Sequence, residues 1–269
     1  MDQAALLAQI SEVCPLPRTA ARILALSNDP RADFGEIASA VECDPALATE
    51  ILRIARSPAY RTRYGADDDL RAACRLLGQR EVGNVTAALS MLSMFTTEHE
   101  LALHAHEVSA LAAQMAALTM DALRLRGRSQ AFLAGLLSEI GALACLSIDA
   151  EAYVALRAAN PTEADRVIAE TRRYHAHSFT IGAHLLARNG ISPEICRAVH
   201  GVDHDPISSV VRFSRRGAAA MIEAADSGDR GWLRTLETLL SREGLALEPS
   251  ELALVAGDAF DSTARRLAA

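Results

Sequence analysis

The chain has 269 residues, half of them hydrophobic, but only 4% are aromatic. This abundance of small and straight-chain side chains favours helices over strands, and predicts an all-α protein. The formal net charge of −7 argues against a general binder of the nucleic-acid backbone, which would need clustered positive charge.

The first two helices are marked by capping residues and prolines. Asp2 can cap a helix that runs to about Val13, and Pro15 then interrupts the chain. Pro17 suits the first turn of a second helix that ends near Asn28. These signals predict a helical N-terminus from the start of the chain.

The next helices have equally clear starts, which are followed by apolar residues at helical spacing. Asp33 and Glu36 have the spacing of a capping box, and Asp44-Pro45 forms a second N-terminal signal. The acidic run 67–69 predicts a helix that ends at Gly78, and a longer helix runs from Glu81 to about residue 95. Residues 96–98 are the predicted boundary between an N-terminal subdomain, 1–97, and a second subdomain, 98–269.

The second half begins with two long apolar stretches. Leu101 to Leu125 predicts an amphipathic helix that Gly127 closes. Ser129 to Leu146 is apolar on all sides, which predicts one helix buried in a bundle; Glu139 and its length argue against a membrane span. Further helices are predicted to begin at Ala150, Thr162, Ser178, Pro193, Pro206, Gly231 and Pro249, which gives about 13–15 in all.

The cysteines and the arginines have simple interpretations. The five cysteines, Cys14, Cys43, Cys74, Cys145 and Cys196, are widely spaced and contain no CxxC pair, which predicts reduced thiols, mostly buried, in a cytoplasmic protein. The chain opens with an acidic Met-Asp-Gln and shows no signal peptide. All 27 basic residues are Arg, and clusters such as Arg215-Arg216 are expected at exposed helix ends.

An ordered set of motifs resembles the HDOD domain family. The N-terminal half contains PLP at 15–17, DPAL at 44–47, ILRIARS at 51–57 and AACRLLG at 72–78. The second half contains HEVSA at 106–110, FLAGLLSEIG at 132–141, HSFTIGAHLL at 177–186 and HDP at 204–206. The resemblance covers about residues 12–226, with Arg56 in place of a usual Asn. It implies a helical bundle packed against a degenerate bundle of the HD hydrolase type.

The resemblance also bears on metal chemistry. HD hydrolases hold metal with a His, an adjacent His-Asp pair and a later Asp, and the metal activates a water molecule. The positions of the pair hold Ser138 and Glu139 here, whereas His106 and Asp226 could match the outer ligands. Serine is a poor ligand, and glutamate carries its carboxylate one methylene further out. The expectation is therefore no metal, no cofactor and no catalysis.

The histidines leave one alternative open. His177, His184, His200 and His204 could form an altered metal site with Glu139, which would make the chain a phosphohydrolase with unusual ligands. In the simpler interpretation His177 caps a helix, His184 is partly exposed, and His200 and His204 form hydrogen bonds between helices. Glu139 would then pair with an arginine or a histidine.

The expected function is regulatory. The resemblance implies bacterial signal transduction, with a partner from a two-component or cyclic-di-nucleotide system that must act in trans, because no such domain is fused here. No nucleic acid and no membrane is expected, and the oligomeric state stays open. The predicted ligand or partner groove lies between the halves and contains His106, Glu139, His177, His200, His204 and Asp226.

Overall fold

A computed structural model describes residues 16–55, 69–95, 99–229 and 231–267. These residues form helices and no strand, which confirms the all-α prediction. In chain order the helices are α1 Arg18–Asn28, α2 Phe34–Glu42, α3 Pro45–Ala55, α4 Leu70–Leu77, α5 Gln79–Ser93, α6 Glu100–Ala122, α7 Arg128–Leu136, α8 Ile140–Ile148, α9 Ala150–Ala159, α10 Glu163–Tyr174, α11 Ser178–Arg188, α12 Pro193–His200, α13 Pro206–Ser227, α14 Trp232–Arg242 and α15 Pro249–Leu267.

Local capping explains where most helices begin. The Asp33 side chain accepts hydrogen bonds from the first turn of α2, and Glu36 accepts one from the Asp33 backbone, so the predicted capping box is confirmed. Asp44 accepts from the Leu47 N–H at 3.1 Å at the start of α3. The predicted first helix and the predicted boundary at 96–98 lie outside the described residues.

Helix α6 is the central element of the second half. It packs against α7, α13 and α15, and it is too well buried for a simple amphipathic surface helix. One apolar cluster extends from α1 through α5 and α8 to α13, and a second joins α6 to α13, α14 and α15. Because the first cluster contains residues from both predicted subdomains, apolar contacts also hold the two together; the division at residue 97 stays a prediction.

The apolar stretch 128–148 is part of the core. By length and composition alone it is apolar enough to cross a membrane, but 78% of its most apolar window is buried inside the protein. Tight backbone packing also fixes its second part: a Cβ added at Gly141 would lie 1.8 Å from the carbonyl oxygen of Ser178. This contact requires glycine, and it brings α8 directly against α11.

The described thiols are mostly core groups, as predicted. Cys74, Cys145 and Cys196 are buried, whereas Cys43 is exposed. Burial raises the pKa of Cys74 and of Cys196 to about 11, and it raises that of Cys145 further. Thiols with raised pKa values are poor nucleophiles near neutral pH, which fits a packing role for these three.

Candidate functional site

The Ser138-Glu139 position lies at a break between two helices. The prediction of one helix over 129–146 is wrong here, because α7 ends at Leu136 and α8 begins at Ile140. Between them the backbone N–H groups of Ser138 and Ile140 bond to carbonyls three residues back, at 3.2 and 3.1 Å. Most residues of both helices are buried, whichever side of the helix they lie on. The apolar pattern of the sequence therefore does not change at the point where one helix ends and the next begins.

Glu139 is a buried carboxylate between two arginines. Its side chain is 9% exposed; Oε1 lies 3.7 Å from Arg215 Nη1, and Oε2 lies 3.8 Å from Arg157 Nη1. The expectation that Glu139 pairs with an arginine or a histidine is confirmed for arginine. A buried carboxylate needs such compensation, because the removal of a charge from water is costly.

Arg215 and its neighbour Arg216 extend this pair into an ionic network. Glu163 accepts from Arg215 at 2.7 Å and from Arg216 at 2.8 Å, and Glu243 accepts from Arg216 at 2.6 Å. Burial alone would raise the pKa of Glu163, but the two guanidinium groups outweigh it and lower that pKa to about 2. Arg215 is only 7% exposed. The expectation that Arg215-Arg216 is an exposed cluster is therefore wrong.

On the other side of Glu139, Arg157 adjoins a buried tyrosine and a buried glutamate. The Tyr153 hydroxyl donates to Glu170 at 2.8 Å, and the Ser178 N–H donates to the other Glu170 oxygen at 2.7 Å. Burial, and then the charge of Glu170, raise the pKa of Tyr153 well above its ordinary value. Tyr153 therefore stays neutral and holds α9 against α10.

Two of the predicted histidines stack at the edge of this network. The rings of His177 and His200 lie 5.9 Å apart at 13°, and the Thr180 hydroxyl is 3.1 and 3.2 Å from their Nε2 atoms. His177 also caps α11, as the simpler interpretation predicted. Burial, and then His200, lower the pKa of His177. Phe179 links the pair to the network, because the Arg215 guanidinium lies 4.1 Å from its ring centre.

The other predicted groove residues lie apart from this cluster. His106 faces the end of α5, where its Nε2 is 3.4 Å from the Phe95 carbonyl oxygen. Asp226 is exposed on α13, eleven residues and hence about 16 Å along the helix from Arg215. His184 is partly exposed, as the simpler interpretation expected. The expectation that His204 lies between helices is wrong, because His204 is exposed in the loop before α13; His200 does contact Thr180 of α11.

Of the six predicted groove residues, the structure therefore places only Glu139, His177 and His200 in one connected cluster. In the parts of the chain that the structure describes, no three His, Cys, Asp or Glu side chains are grouped so that they could hold a metal ion. Histidine and carboxylate are present at this site, but the groups that face the carboxylate are guanidinium groups. The arrangement is suited to the compensation of buried charge.

The arginines and their partners are the site residues that the sequence did not reveal. Arg157, Arg212, Glu163 and Glu243 belong to no motif of the resemblance. Arg212 donates to Glu243 at 2.7 Å and also to the carbonyl oxygens of Gly201 and Asp203, so it fixes the loop before α13. The one sequence signal was the spacing of Arg212, Arg215 and Arg216, which places them near one another on a helix.

Comparisons with known proteins agree with this fold. A crystal structure of a supposed phosphohydrolase from Shewanella amazonensis SB2B has a TM-score of 0.72 at 20% identity, with 97% of each chain covered. An HDOD domain protein of unknown function from Geobacter sulfurreducens has a TM-score of 0.58 at 19% identity, covering 80% of this chain and 76% of that one. At these identities the likeness shows the fold alone.

A third structure has the same fold. A supposed signal transduction protein from Marinobacter aquaeolei VT8 has a TM-score of 0.56 at 20% identity, covering 93% of this chain and 60% of that one. The comparison with curated proteins gives no significant match. The family model of the HDOD domain matches residues 13–205, which is most of the chain. This chain therefore belongs to the HDOD domain family.

Proposed function

We propose that this HDOD protein is a non-catalytic regulatory module of a signalling pathway, and that it acts by binding a partner protein. One observation carries the first part: Glu139 faces Arg157 and Arg215, at 3.8 and 3.7 Å, where the family resemblance assigns the metal-binding pair. A divalent cation at this carboxylate would lie close to two guanidinium groups, whose charge repels it. Ser138 adds only a neutral hydroxyl.

The test of the non-catalytic part measures metal content and turnover in the same preparation. We expect no stoichiometric metal in the purified full chain, and no hydrolysis of bis(4-nitrophenyl) phosphate with added Mn²⁺, because Ser138 and Glu139 stand where the resemblance assigns the His-Asp pair that would hold the metal and activate water. Metal content by mass spectrometry and release of nitrophenolate check this. The Glu139→Gln variant, which keeps the shape of the side chain, is the matched comparison.

The alternative is a metal-dependent phosphohydrolase with unusual ligands. The name of the Shewanella protein, a supposed phosphohydrolase with the same fold, favours it. Stoichiometric metal together with turnover that disappears in Glu139→Gln would establish this alternative and contradict our proposal. Metal and turnover that persist in Glu139→Gln would also contradict it, and would locate the chemistry elsewhere in the chain.

The proposed partner surface combines the His177–His200 pair of the cluster with His204, which lies outside the cluster in the loop between α12 and α13. His200 is partly exposed and His204 is exposed, so both can contact a protein without unfolding of the site. We infer a partner from a two-component or cyclic-di-nucleotide system, and a cytoplasmic location that keeps the thiols reduced. Nucleic acid is a poor candidate, because the net charge is −7.

Affinity capture tests this surface. We expect the full chain to retain a partner from an extract of the cells that produce it naturally, and the double variant His200→Ala/His204→Ala to lose the same partner. His104→Ala, which changes a partly exposed histidine on α6, is the matched control. Equal capture by the double variant and by the wild type would refute the proposed surface.

A further inference from the structure

A two-lobed cleft lies between α13, α14 and α15, at the end of α13 opposite to the arginine network. The larger lobe has a volume of about 320 Å³ and is lined by apolar residues and by Asp229 and Asp261. The smaller lobe, of about 180 Å³, lies against α6 and is lined by Glu107 and Asp226 among others. Ala225 and Phe260 line both lobes, so the two lobes are adjacent.

Small residues keep the larger lobe open. A Cβ at Gly257, in α15, would meet no atom within 4 Å, and the same is true at Gly228, where α13 ends with a φ of +70°. Glycine is unfavourable inside a helix such as α15, yet no close backbone contact explains it at position 257. The volume of this lobe lies at the lower end of the range for small-molecule sites.

The chemistry of the lining is aromatic and acidic. Trp232, on α14, and Phe260, on α15, provide two aromatic side chains, and Phe260 is 39% exposed. Asp229 uses one carboxylate oxygen to accept from the Gly231 N–H at 2.9 Å. Asp229 and Asp261 line the larger lobe, and Glu107 and Asp226 line the smaller one. A concave surface with charge of one sign concentrates ligands of the opposite sign.

We propose that this cleft binds a small organic cation with an aromatic or branched apolar body. The apolar body would occupy the larger lobe and contact Trp232 and Phe260. The positive group would lie near the Asp229 carboxylate, and aromatic neighbours such as Trp232 and Phe260 also tolerate a cation. This binding site lies away from the proposed partner surface, because His204 precedes the start of α13 at Pro206, whereas Asp226 lies near the other end, about 30 Å along the helix.

Trp232 is the only tryptophan of the chain, so its fluorescence reports directly on the larger lobe. The probe is benzyltrimethylammonium, and its comparison is neopentylbenzene, which has the same shape without the charge. We expect saturable quenching or a spectral shift of the full chain by the cation, with binding at least about tenfold tighter than that of the neutral molecule. Equal binding of the two, or no saturable change with the cation, would overturn the proposal.

Variants test whether the change in fluorescence comes from binding in the cleft. Gly257→Leu adds a side chain where the cleft is open and is expected to weaken binding about tenfold, whereas Gly257→Ala is the matched control with little effect. Asp229→Asn keeps an acceptor for the Gly231 N–H but removes the charge. It is expected to weaken the binding of the cation but not the binding of the neutral molecule. Circular dichroism confirms that the variants fold. Unchanged affinity in both Gly257→Leu and Asp229→Asn would refute the cleft as the site.

Discussion

Replacement of Arg215 by Met is expected to lower the free energy of unfolding by ~3–5 kcal/mol, because it leaves two carboxylates without their shared cation. Glu139 would keep its ion pair with Arg157, at 3.8 Å, and Glu163 its ion pair with Arg216, while Arg166 would remain a weaker electrostatic partner of both. Urea denaturation followed by circular dichroism measures the change. Arg215→Lys is the matched control: it keeps the charge but cannot contact both carboxylates, and should fall between the variant and the wild type. A loss below ~1 kcal/mol in Arg215→Met would contradict the network.

The same network predicts how the stability of the wild type depends on pH. Glu163 has a folded-state pKa of about 2, below its ordinary value of 4.5, so it contributes stability that is complete above the ordinary pKa. This contribution, at most ~3 kcal/mol, is lost as the pH falls from the ordinary pKa towards the folded one. In Arg215→Met the folded pKa of Glu163 should rise, so the loss of stability across this acid range should be smaller than in the wild type. An equal loss of stability at acid pH in both proteins would show that Arg215 does not set the pKa of Glu163.

Replacement of Gly141 by Ala is expected to prevent the native packing of α8 against α11. The added Cβ would lie 1.8 Å from the Ser178 carbonyl oxygen and 2.7 Å from the Gly182 nitrogen, and both are backbone atoms that cannot rotate away. The helices must separate, and we expect a loss of ~3 kcal/mol or more, at or above the upper range for an overpacked core. Thermal unfolding by circular dichroism is the measurement.

A second variant separates the effect at Gly141 from the general effect of replacing a helical glycine by alanine. Gly257→Ala makes no contact within 4 Å and should leave stability unchanged or slightly raised, since alanine favours a helix. A Gly141→Ala protein that unfolds at the wild-type temperature would show that α8 and α11 are not in backbone contact. The motif FLAGLLSEIG thus contains a glycine whose role is packing, two residues after Glu139, which holds the second of the positions that the resemblance assigns to metal binding.

The sequence predicted the histidine cluster only in part. The motif HSFTIGAHLL marked His177 as the start of α11, and the structure confirms the cap. The stacking of His177 on His200 was not predictable, because it depends on how α11 packs against α12. His106 and Asp226 were grouped with them by the family pattern, but they lie at other places on the long helices α6 and α13. Spacing along the chain gives the side of its own helix on which a residue lies and its position along that helix. It does not give which other helix packs against the residue.

The sequence by itself determined the helical class, the family and most helix starts. Asp33, Asp44 and Asp205 each cap a helix through side-chain contacts with backbone groups two or three residues away, so the information is local. Only the tertiary structure decided the surroundings of Glu139. Arg215 and Glu163 are separated by 52 residues along the chain, and they meet because α13 and α10 pack together. The energy of such a buried ion pair comes from the exclusion of water, which exists only once the helices are assembled.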